Sequence, residues 1–190
     1  MNIANNRLHP ILARIDPKRL LVLDMGDASD EKVNYLLQNF DTAVVGCLNQ
    51  SLDRLANYRD FIFIYSKQKT PHPPETESAL REFCKKHGMN FYVMPEVNHD
   101  LMGPGQVYFV ITENDLVKVL KGCRHSGLNL GSDLGIIAYN DTPMKEIAGP
   151  GITVISADFE EMGHKAAAFV KNKQKVREVL SPRLILRGSL

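Results

Sequence analysis

The sequence predicts an α/β protein whose parallel sheets are flanked by helices, and three observations predict it. Short apolar runs recur at residues 20–23, 61–65, 106–111, 133–138 and 152–155, each bounded by turn-forming or polar residues. Runs of that length read as strands buried on both faces. Between them lie stretches with apolar residues at helical spacing, such as Val44, Leu48, Leu52 and Leu55. The two patterns alternate from residue 20 to the last residues, the arrangement produced by successive βαβ units.

Taken in order, Leu8, Ile11, Leu12 and Ile15 give residues 7–15 a loose helical spacing that stops at Asp16-Pro17. The strand at 20–23 ends in Asp24, and a second short strand at 33–37 ends at Gln38-Asn39. A helix is expected from about Asp41. Its stripe Val44, Leu48, Leu52 and Leu55 leaves Asn49, Gln50, Asp53 and Arg54 mostly on the other side. The strand at 61–65 runs into the proline-rich loop of residues 67–74, which reads as a plain connector or as a rim over a ligand crevice. Residues 75–87 read as a helix with Ala79, Leu80, Phe83 and Cys84 on one face. Gly88 follows, free to take positive φ at the helix end.

A strand at 90–94 and a loop at 97–105 precede the strand at 106–111. Thr112-Glu113-Asn114-Asp115 opens a helix lined by Leu116, Val119, Leu120 and Cys123, which Ser126-Gly127 closes. After the strand at 133–138 a short helix covers residues 144–148, and a strand covers 152–155. Asp158 caps the next helix, with Glu161 placed three residues on as in a capping box. Phe159, Met162, Ala166, Phe169 and Val170 are expected to face the core, and residues 183–187 close as a strand.

A chain of 190 residues with 44% hydrophobic content can bury a substantial core, as one large domain or two lobes. A charged fraction of 24% and a net charge of +1 offer no basic stripe for nucleic acid. Cys47, Cys84 and Cys123 are odd in number, far apart and each on an expected helix, which fits buried free thiols in a reducing compartment. No run approaches the ~20 apolar residues of a membrane span. Residues 1–7 are polar and lack the apolar stretch of a secretory signal. A cytoplasmic protein without membrane contact is expected.

The chemistry of turnover is missing from the sequence. The histidines at 9, 72, 87, 99, 125 and 164 show no metal-ligand spacing. There is no G-x-S-x-G elbow, no Walker loop and no G-x-G-x-x-G after a strand. The glycines of Gly127-Leu128-Asn129-Leu130-Gly131 follow a helix and precede a strand, the wrong order for cradling phosphate. A catalytic thiol is not expected at Cys84 or Cys123. No catalytic residue, metal or cofactor is expected.

The informative stretch is Leu134-Gly135-Ile136-Ile137-Ala138-Tyr139-Asn140-Asp141-Thr142. A buried strand turns polar within one residue at its carboxyl end, the place where parallel α/β sheets bind ligands. Asn140-Asp141-Thr142-Pro143 also has the composition of a turn that merely starts the next helix.

Several segments, taken together, resemble the sugar-sensing effector domain of LacI/GalR-type transcription regulators, itself similar to type I periplasmic sugar-binding proteins. They are Thr112-Glu113 opening a helix, Ser126-Gly127-Leu128 closing it, Asp133-x-Gly-Ile-Ile-Ala-Tyr-Asn-Asp, Ile152-Thr-Val-Ile, Asp158-Phe-x-x-Met-Gly and the terminal Leu184-Ile-Leu-Arg. Order and spacing match over residues 106–190, and more loosely back to Leu20. The wording Tyr-Asn-Asp-Thr-Pro-Met-Lys-Glu-Ile, with Phe83-Cys84, is most similar to a Bacteroidetes branch. There this domain follows a GntR-type winged helix, as in L-fucose operon activators.

The resemblance implies two lobes, residues 39–157 with 180–190 and an incomplete lobe of residues 1–38 with 158–179. The opening part of that second lobe and the DNA-binding domain are expected to lie outside this chain, through a fragment or a misplaced start. The resemblance implies a ligand set of Asp24, Gln38 and Asn39 on the partial lobe, and Thr76, Thr112, Glu113, Asn140 and Asp141 on the other. Asn114-Asp115 offers an alternative register for the family's Asn-Asp pair, and counting back from Ser126-Gly127 favours Thr112-Glu113. Two positions depart from the family: Ala157 stands where Gln is frequent, and Thr76 stands near where a helix arginine grips the ligand. Asn and carboxylate groups suit vicinal hydroxyls. Tyr65 and Tyr139 offer apolar faces or core packing.

The function implied is a sugar-sensing module of a transcriptional regulator, acting as a homodimer on operator DNA through the missing domain. This chain alone is expected not to bind DNA and to bind sugar weakly or not at all. The alternatives are a transport binding protein of the same fold, and a small flavodoxin-like enzyme or interaction domain.

Overall fold

The computed structural model describes residues 14–26, 33–40, 42–66, 72–73, 75–172 and 174–190. Most of the helix expected at residues 7–15 and most of the loop at 67–74 lie outside them. The chain divides into two compact units, residues 1–39 with 157–182 and residues 40–156 with 183–190, so it passes from one to the other three times.

In chain order, β1 (Leu21–Asp24) and β2 (Asn34–Gln38) belong to the first unit. The second unit takes α1 (Thr42–Asn49), α2 (Leu52–Leu55), β3 (Asp60–Ile64), α3 (Glu75–Lys86), β4 (Asn90–Met94), β5 (Gln106–Val110), α4 (Glu113–His125), β6 (Leu134–Tyr139), α5 (Pro143–Ile147) and β7 (Thr153–Ser156). The first unit is rejoined by α6 (Phe159–Asn172) and β8 (Arg177–Leu180), and β9 (Arg183–Ile185) returns to the second.

In the first unit β1, β2 and β8 form a parallel sheet in that order. Its organising polar residue is Asn34. The buried side-chain amide donates to the carbonyls of Pro17 at 3.0 Å and Leu20 at 3.3 Å, and its oxygen accepts from the Val176 N–H at 3.1 Å. One side chain therefore fixes the approach to β1 and the approach to β8. Asp158 caps α6 by accepting the Glu161 N–H at 2.9 Å, as the capping pattern predicts.

Two expectations fail in this unit. Strand β8 is not anticipated: Arg177-Glu178-Val179-Leu180 is mostly exposed and carries no apolar run, and pairing with β2 alone extends it. On α6, Met162 and Phe169 are buried, but Phe159 is 42% and Val170 74% exposed. A fourteen-residue helix over three strands buries a narrower stripe than its apolar residues span.

The second unit is built on a six-stranded sheet, order β4-β3-β5-β6-β7-β9, parallel except for β9. Alternation along each strand divides its side chains between two cores. Phe61, Phe63, Val107, Phe109, Ile137 and Tyr139 face α1 and α3, packing with Val44, Leu48, Leu80, Phe83 and Cys84. Ile62, Ile64, Tyr108, Val110, Ile136 and Ala138 face the other way, with Leu116, Val119 and Cys123 of α4. Both faces are covered, so the strands read as unbroken apolar runs. Truncating one of these phenylalanines to Ala costs about 3–5 kcal/mol.

Gly135 in β6 lies under the Tyr58 ring, where an added Cβ meets ring carbon Cζ at 2.8 Å. The stripe Val44, Leu48, Leu52, Leu55 is shared by two helices, because the chain breaks at Gln50-Ser51 and the Ser51 hydroxyl donates to the Leu48 carbonyl at 3.0 Å. The three cysteines are free and buried in helices. Among the described residues no helix is long and apolar enough to cross a membrane.

Candidate functional site

In the second unit β5 and β6 end within four residues of the starts of α4 and α5. This edge carries four of the sequence-predicted residues. Thr112 is the N-cap of α4. Its hydroxyl accepts the Asp115 N–H at 3.1 Å and donates to the Asp115 carboxylate at 2.7 Å, so capping engages it in both directions. Glu113, the next residue, is 55% exposed, and its Oε1 lies 2.9 Å from Lys145 Nζ.

Lys145 ties two of the predicted residues together. Its side chain is 3% exposed, and its ammonium donates to the carbonyls of Tyr139 at 3.0 Å and Asn140 at 2.7 Å as well as pairing with Glu113. Three acceptors match the three protons of an ammonium, which is how a lysine can be buried with its charge. One side chain on α5 thus joins the turn after β6 to the start of α4.

The turn itself is strained. Asn140 has φ 60, and among the described residues the non-glycine residues with positive φ are Asn140 and Asp24. Asn tolerates the left-handed region better than most residues. Its N–H donates to the Ile155 carbonyl at 2.9 Å, and Lys145 holds its carbonyl. Its side-chain Oδ1 is buried with no partner, and so is the hydroxyl oxygen of Thr142 two residues on. Among the described residues, His87 Nε2 is the other buried side-chain polar atom in that condition.

Asp141 is held internally. Its carboxylate accepts both terminal nitrogens of Arg187, at 2.9 and 2.8 Å, and the Thr142 N–H at 3.0 Å. The guanidinium bonds hold its carboxyl below the usual carboxylate range despite partial burial. The Asp141 N–H donates to the buried Ser156 hydroxyl at 2.9 Å. Arg187 also donates to the Ile152 carbonyl at 2.9 Å, so the residues after β9 brace the turn after β6.

Thr76 stands apart from these groups. It is 0% exposed, and its hydroxyl donates to the Phe40 carbonyl at 2.8 Å. That uses its one proton, so at 2.9 Å from His72 Nε2 it accepts, and the ring carries its hydrogen on Nε2. The His72 ring packs edge-on against Phe40 and Tyr139, at 5.2 and 5.1 Å between centroids, and burial lowers its pKa to about 4. Tyr65 and Tyr139 are buried, and the Tyr65 hydroxyl donates to the His72 carbonyl at 2.9 Å. Both tyrosines belong to the core cluster.

In the first unit Asp24 ends β1 with φ 72, and Gln38, at the end of the neighbouring β2, donates its side-chain amide to Asp24 Oδ1. The Asn39 N–H donates to the Leu180 carbonyl at 3.1 Å. The structure thus brings Asp24 and Gln38 together in one unit, and Thr112, Glu113, Asn140 and Asp141 to one sheet edge in the other.

Sequence reading missed Lys145, Arg187 and His72. A lysine in a short polar helix and an arginine beyond a strand read as solvated charges. Among the described residues no group of three or more His, Cys, Asp or Glu is placed to hold a metal ion.

Comparisons with known proteins agree with this architecture. A LacI family transcriptional regulator from Lactobacillus casei, with bound glucose, superposes with a TM-score of 0.68 at 14% identity, over 92% of this chain and 71% of that one. One from Arthrobacter sp. FB24, in complex with lactose, gives 0.66 at 15%, over 90% and 71%. The xylose-binding transcription activator xylR gives 0.75 at 16%, over 99% of this chain and 56% of that one. At such identities the likeness is one of fold. In sequence, 76 residues are 33% identical to the HTH-type transcriptional regulator DegA of Bacillus subtilis, covering 37% of this chain and 23% of that protein. The chain therefore spans under a quarter of that regulator's length. Residues 54–190, well over half of the chain, match the family described as periplasmic binding protein-like domain, and the chain belongs to that family.

Proposed function

We propose that the chain is the effector-binding module of a bacterial transcriptional regulator, sensing a small sugar and controlling a carbohydrate-utilisation operon. The observation that carries this reading is the pairing of Asp24 and Asn140. Each closes a parallel strand, one in each unit, and each holds a left-handed conformation that is unusual for a residue with a side chain. Ligands of parallel α/β sheets bind beyond the carboxyl ends of the strands, and strained residues cluster at such sites. At Asn140 a buried acceptor atom is left unmatched.

The proposed ligand set is Asp24, Gln38 and Asn39 in the first unit, and Thr112, Glu113, Asn140 and Asp141 in the second. Ligand binding biases a two-state equilibrium of the module, a coupling of typically ~1–3 kcal/mol. In the finer form of the proposal the module is joined to a GntR-type winged helix, as in L-fucose operon activators of Bacteroidetes. It works in the cytoplasm as a homodimer, contacts operator DNA only through that winged helix, and binds its sugar without turning it over. The structural relatives named above with bound glucose or lactose, and the xylose-binding activator, support a sugar as the ligand.

The test is an amide-resolved NMR titration of this chain with L-fucose, D-xylose and D-glucose at millimolar concentration. One of these sugars is expected to shift the amides of both Asp24 and Asn140. Sugars that perturb neither turn refute the reading.

A further inference from the structure

We infer that the second unit holds a further small-molecule site at the opposite end of its sheet, one that takes a compact aromatic alcohol of the phenol class. The site is separate from the strand-end residues above and does not depend on the sugar-sensing reading.

Chain order places it. Residues 52–58 lead into β3 and residues 87–89 lead into β4, and the two strands run parallel with Asp60 beside Asn90. Both approaches therefore lie at the amino ends of the strands. β3 has five residues, so roughly 16 Å of strand, at ~3.3 Å per residue, separates them from the carboxyl edge. At the end of α3 Gly88 takes φ 70 and turns the chain back toward β4. Between the two approaches is a cavity of about 490 Å³. That is within the ~300–1,000 Å³ typical of small-molecule sites.

The walls are apolar. Leu55 and Tyr58, 1% and 3% exposed, join Phe61 and Phe63 of β3 in one cluster, and Leu52 and Met89 pack against it. The Tyr58 hydroxyl is engaged by the Gly131 carbonyl at 3.0 Å, so this residue offers its ring. The exposed residues Asp53, Ala56 and Gly88 form the mouth. A Cβ added to Gly88 meets nothing within 4 Å.

Against these walls stands one unmatched polar atom. His87 lines the cavity, and its Nε2 is buried without a hydrogen-bond partner. The His87 ring is backed by Phe83, with 4.6 Å between ring centroids. Buried polar atoms in folded proteins are nearly all paired, so an exception calls for a partner. The residue as a whole is half-buried, and histidine χ2 is a broad torsion, so a small rotation turns Nε2 to an occupant.

These features select the ligand. An aromatic ring suits the apolar walls. One hydroxyl satisfies Nε2 in either tautomer, because it both donates and accepts. A sugar would leave its other hydroxyls unpaired against Leu52, Leu55 and Met89. Asp53 brings a carboxylate to the mouth, and no Lys or Arg lines the cavity, so an anionic ring meets repulsion.

The experiment titrates the chain, by amide-resolved NMR, with p-cresol, toluene and 4-hydroxybenzoate at millimolar concentration. The parent is compared with His87→Phe and with Ala56→Phe, which keeps the imidazole and fills the mouth. p-Cresol is expected to shift the amides of Ala56, Gly88 and Met89 and to leave that of Asn140 unmoved. The ratio of the toluene to the p-cresol dissociation constant is expected to fall by at least about five-fold in His87→Phe, the scale of one hydrogen bond to a buried atom. 4-Hydroxybenzoate binds more weakly than p-cresol, and Ala56→Phe abolishes the shifts. p-Cresol that leaves the three amides unmoved, a ratio unchanged in His87→Phe, or binding that survives Ala56→Phe overturns the site. 4-Hydroxybenzoate binding as tightly as p-cresol overturns the ligand class.

Discussion

Lys145→Met is the most direct perturbation of the turn after β6. The substitution keeps a side chain of similar length and removes the ammonium. In its place the carbonyls of Tyr139 and Asn140 lose donors at 3.0 and 2.7 Å, within a site where the lysine side chain is 3% exposed. Hydrogen bonds to a charged donor contribute roughly 1.5–3 kcal/mol each, and a buried carbonyl left unsatisfied costs about as much. The third partner adds little: Glu113 is 55% exposed, so its share is discounted for solvent to below about 1 kcal/mol. The two carbonyls therefore dominate, and the variant is expected to lose about 3–4 kcal/mol. For a chain of this size that is a fall in Tm of roughly 10 °C. Thermal and urea unfolding, followed by circular dichroism, measure it. Glu113→Gln serves as the control and is expected to cost under about 1 kcal/mol. Equal losses in the two variants, or a Lys145→Met melting point within about 2 °C of the parent, refute the claim that the ammonium holds the turn through its carbonyls.

Arg187→Ala removes the bidentate partner of Asp141, and a loss of about 2 kcal/mol is expected at neutral pH for this partly buried pair. The folded-state pKa of Asp141 is lowered from 3.8, so the pair's contribution is present above that value and fades as pH falls below it. Urea denaturation of parent and variant at pH 7 and pH 3 should show the difference shrinking at the lower pH. Thr76→Val keeps the shape and removes the hydroxyl from between His72 and the Phe40 carbonyl, at an expected cost of about 1–3 kcal/mol by chemical denaturation. His72, with its folded pKa lowered to about 4 from 6.5, contributes stability that is present above pH 6.5 and lost as pH falls toward 4. Its ring resonances in NMR should accordingly show no titration between pH 5.5 and 8, a window bounded by that about-4 folded value. Asn140→Gly is expected to leave stability unchanged or slightly raised, because glycine meets no steric cost at φ 60, while sugar binding is lost. A variant that retains binding removes Asn140 from the ligand set.

The central strands of the second unit were legible because they are buried on both faces. Asp60–Ile64 and Leu134–Tyr139 show no exposed residue, so an apolar run in sequence maps onto a strand in space. Strand β8 was illegible for the opposite reason. Arg177 and Glu178 face solvent, and what makes them a strand is the register Tyr35↔Arg177 with a partner some 140 residues away. The break between α1 and α2 was hidden because Leu52 and Leu55 continue the stripe of Val44 and Leu48, while the Ser51 hydroxyl that ends the first helix resembles any other serine. The site was half legible. Residue type and position at a strand end pick out Asn140 and Asp141, yet sequence does not say which has its side chain engaged internally. That distinction is made by Arg187, 46 residues beyond Asp141, through contacts that no local pattern encodes.

A strained turn persists only when its surroundings determine it more strongly than the strain opposes it. For a residue with a side chain the left-handed conformation costs about 1–2 kcal/mol, less for Asn. Against that stand the Lys145 bonds to two carbonyls, the Ile155 bond to the Asn140 N–H, and the Arg187 clamp and Ser156 bond on Asp141. Together these exceed the strain several-fold, so the turn keeps its shape before any ligand arrives. Lys145 and Arg187 thereby fix which groups of the turn are engaged internally. They consume the carboxylate of Asp141 and one oxygen of Glu113, and they hold Asn140 where its side-chain oxygen has no internal partner. Buried cations of this kind serve placement more than net stability, since an apolar replacement of the whole cluster can be equally stable. What such a replacement lacks is a fixed polar group at the strand end, already ordered, the preorganisation that the proposed site would draw on.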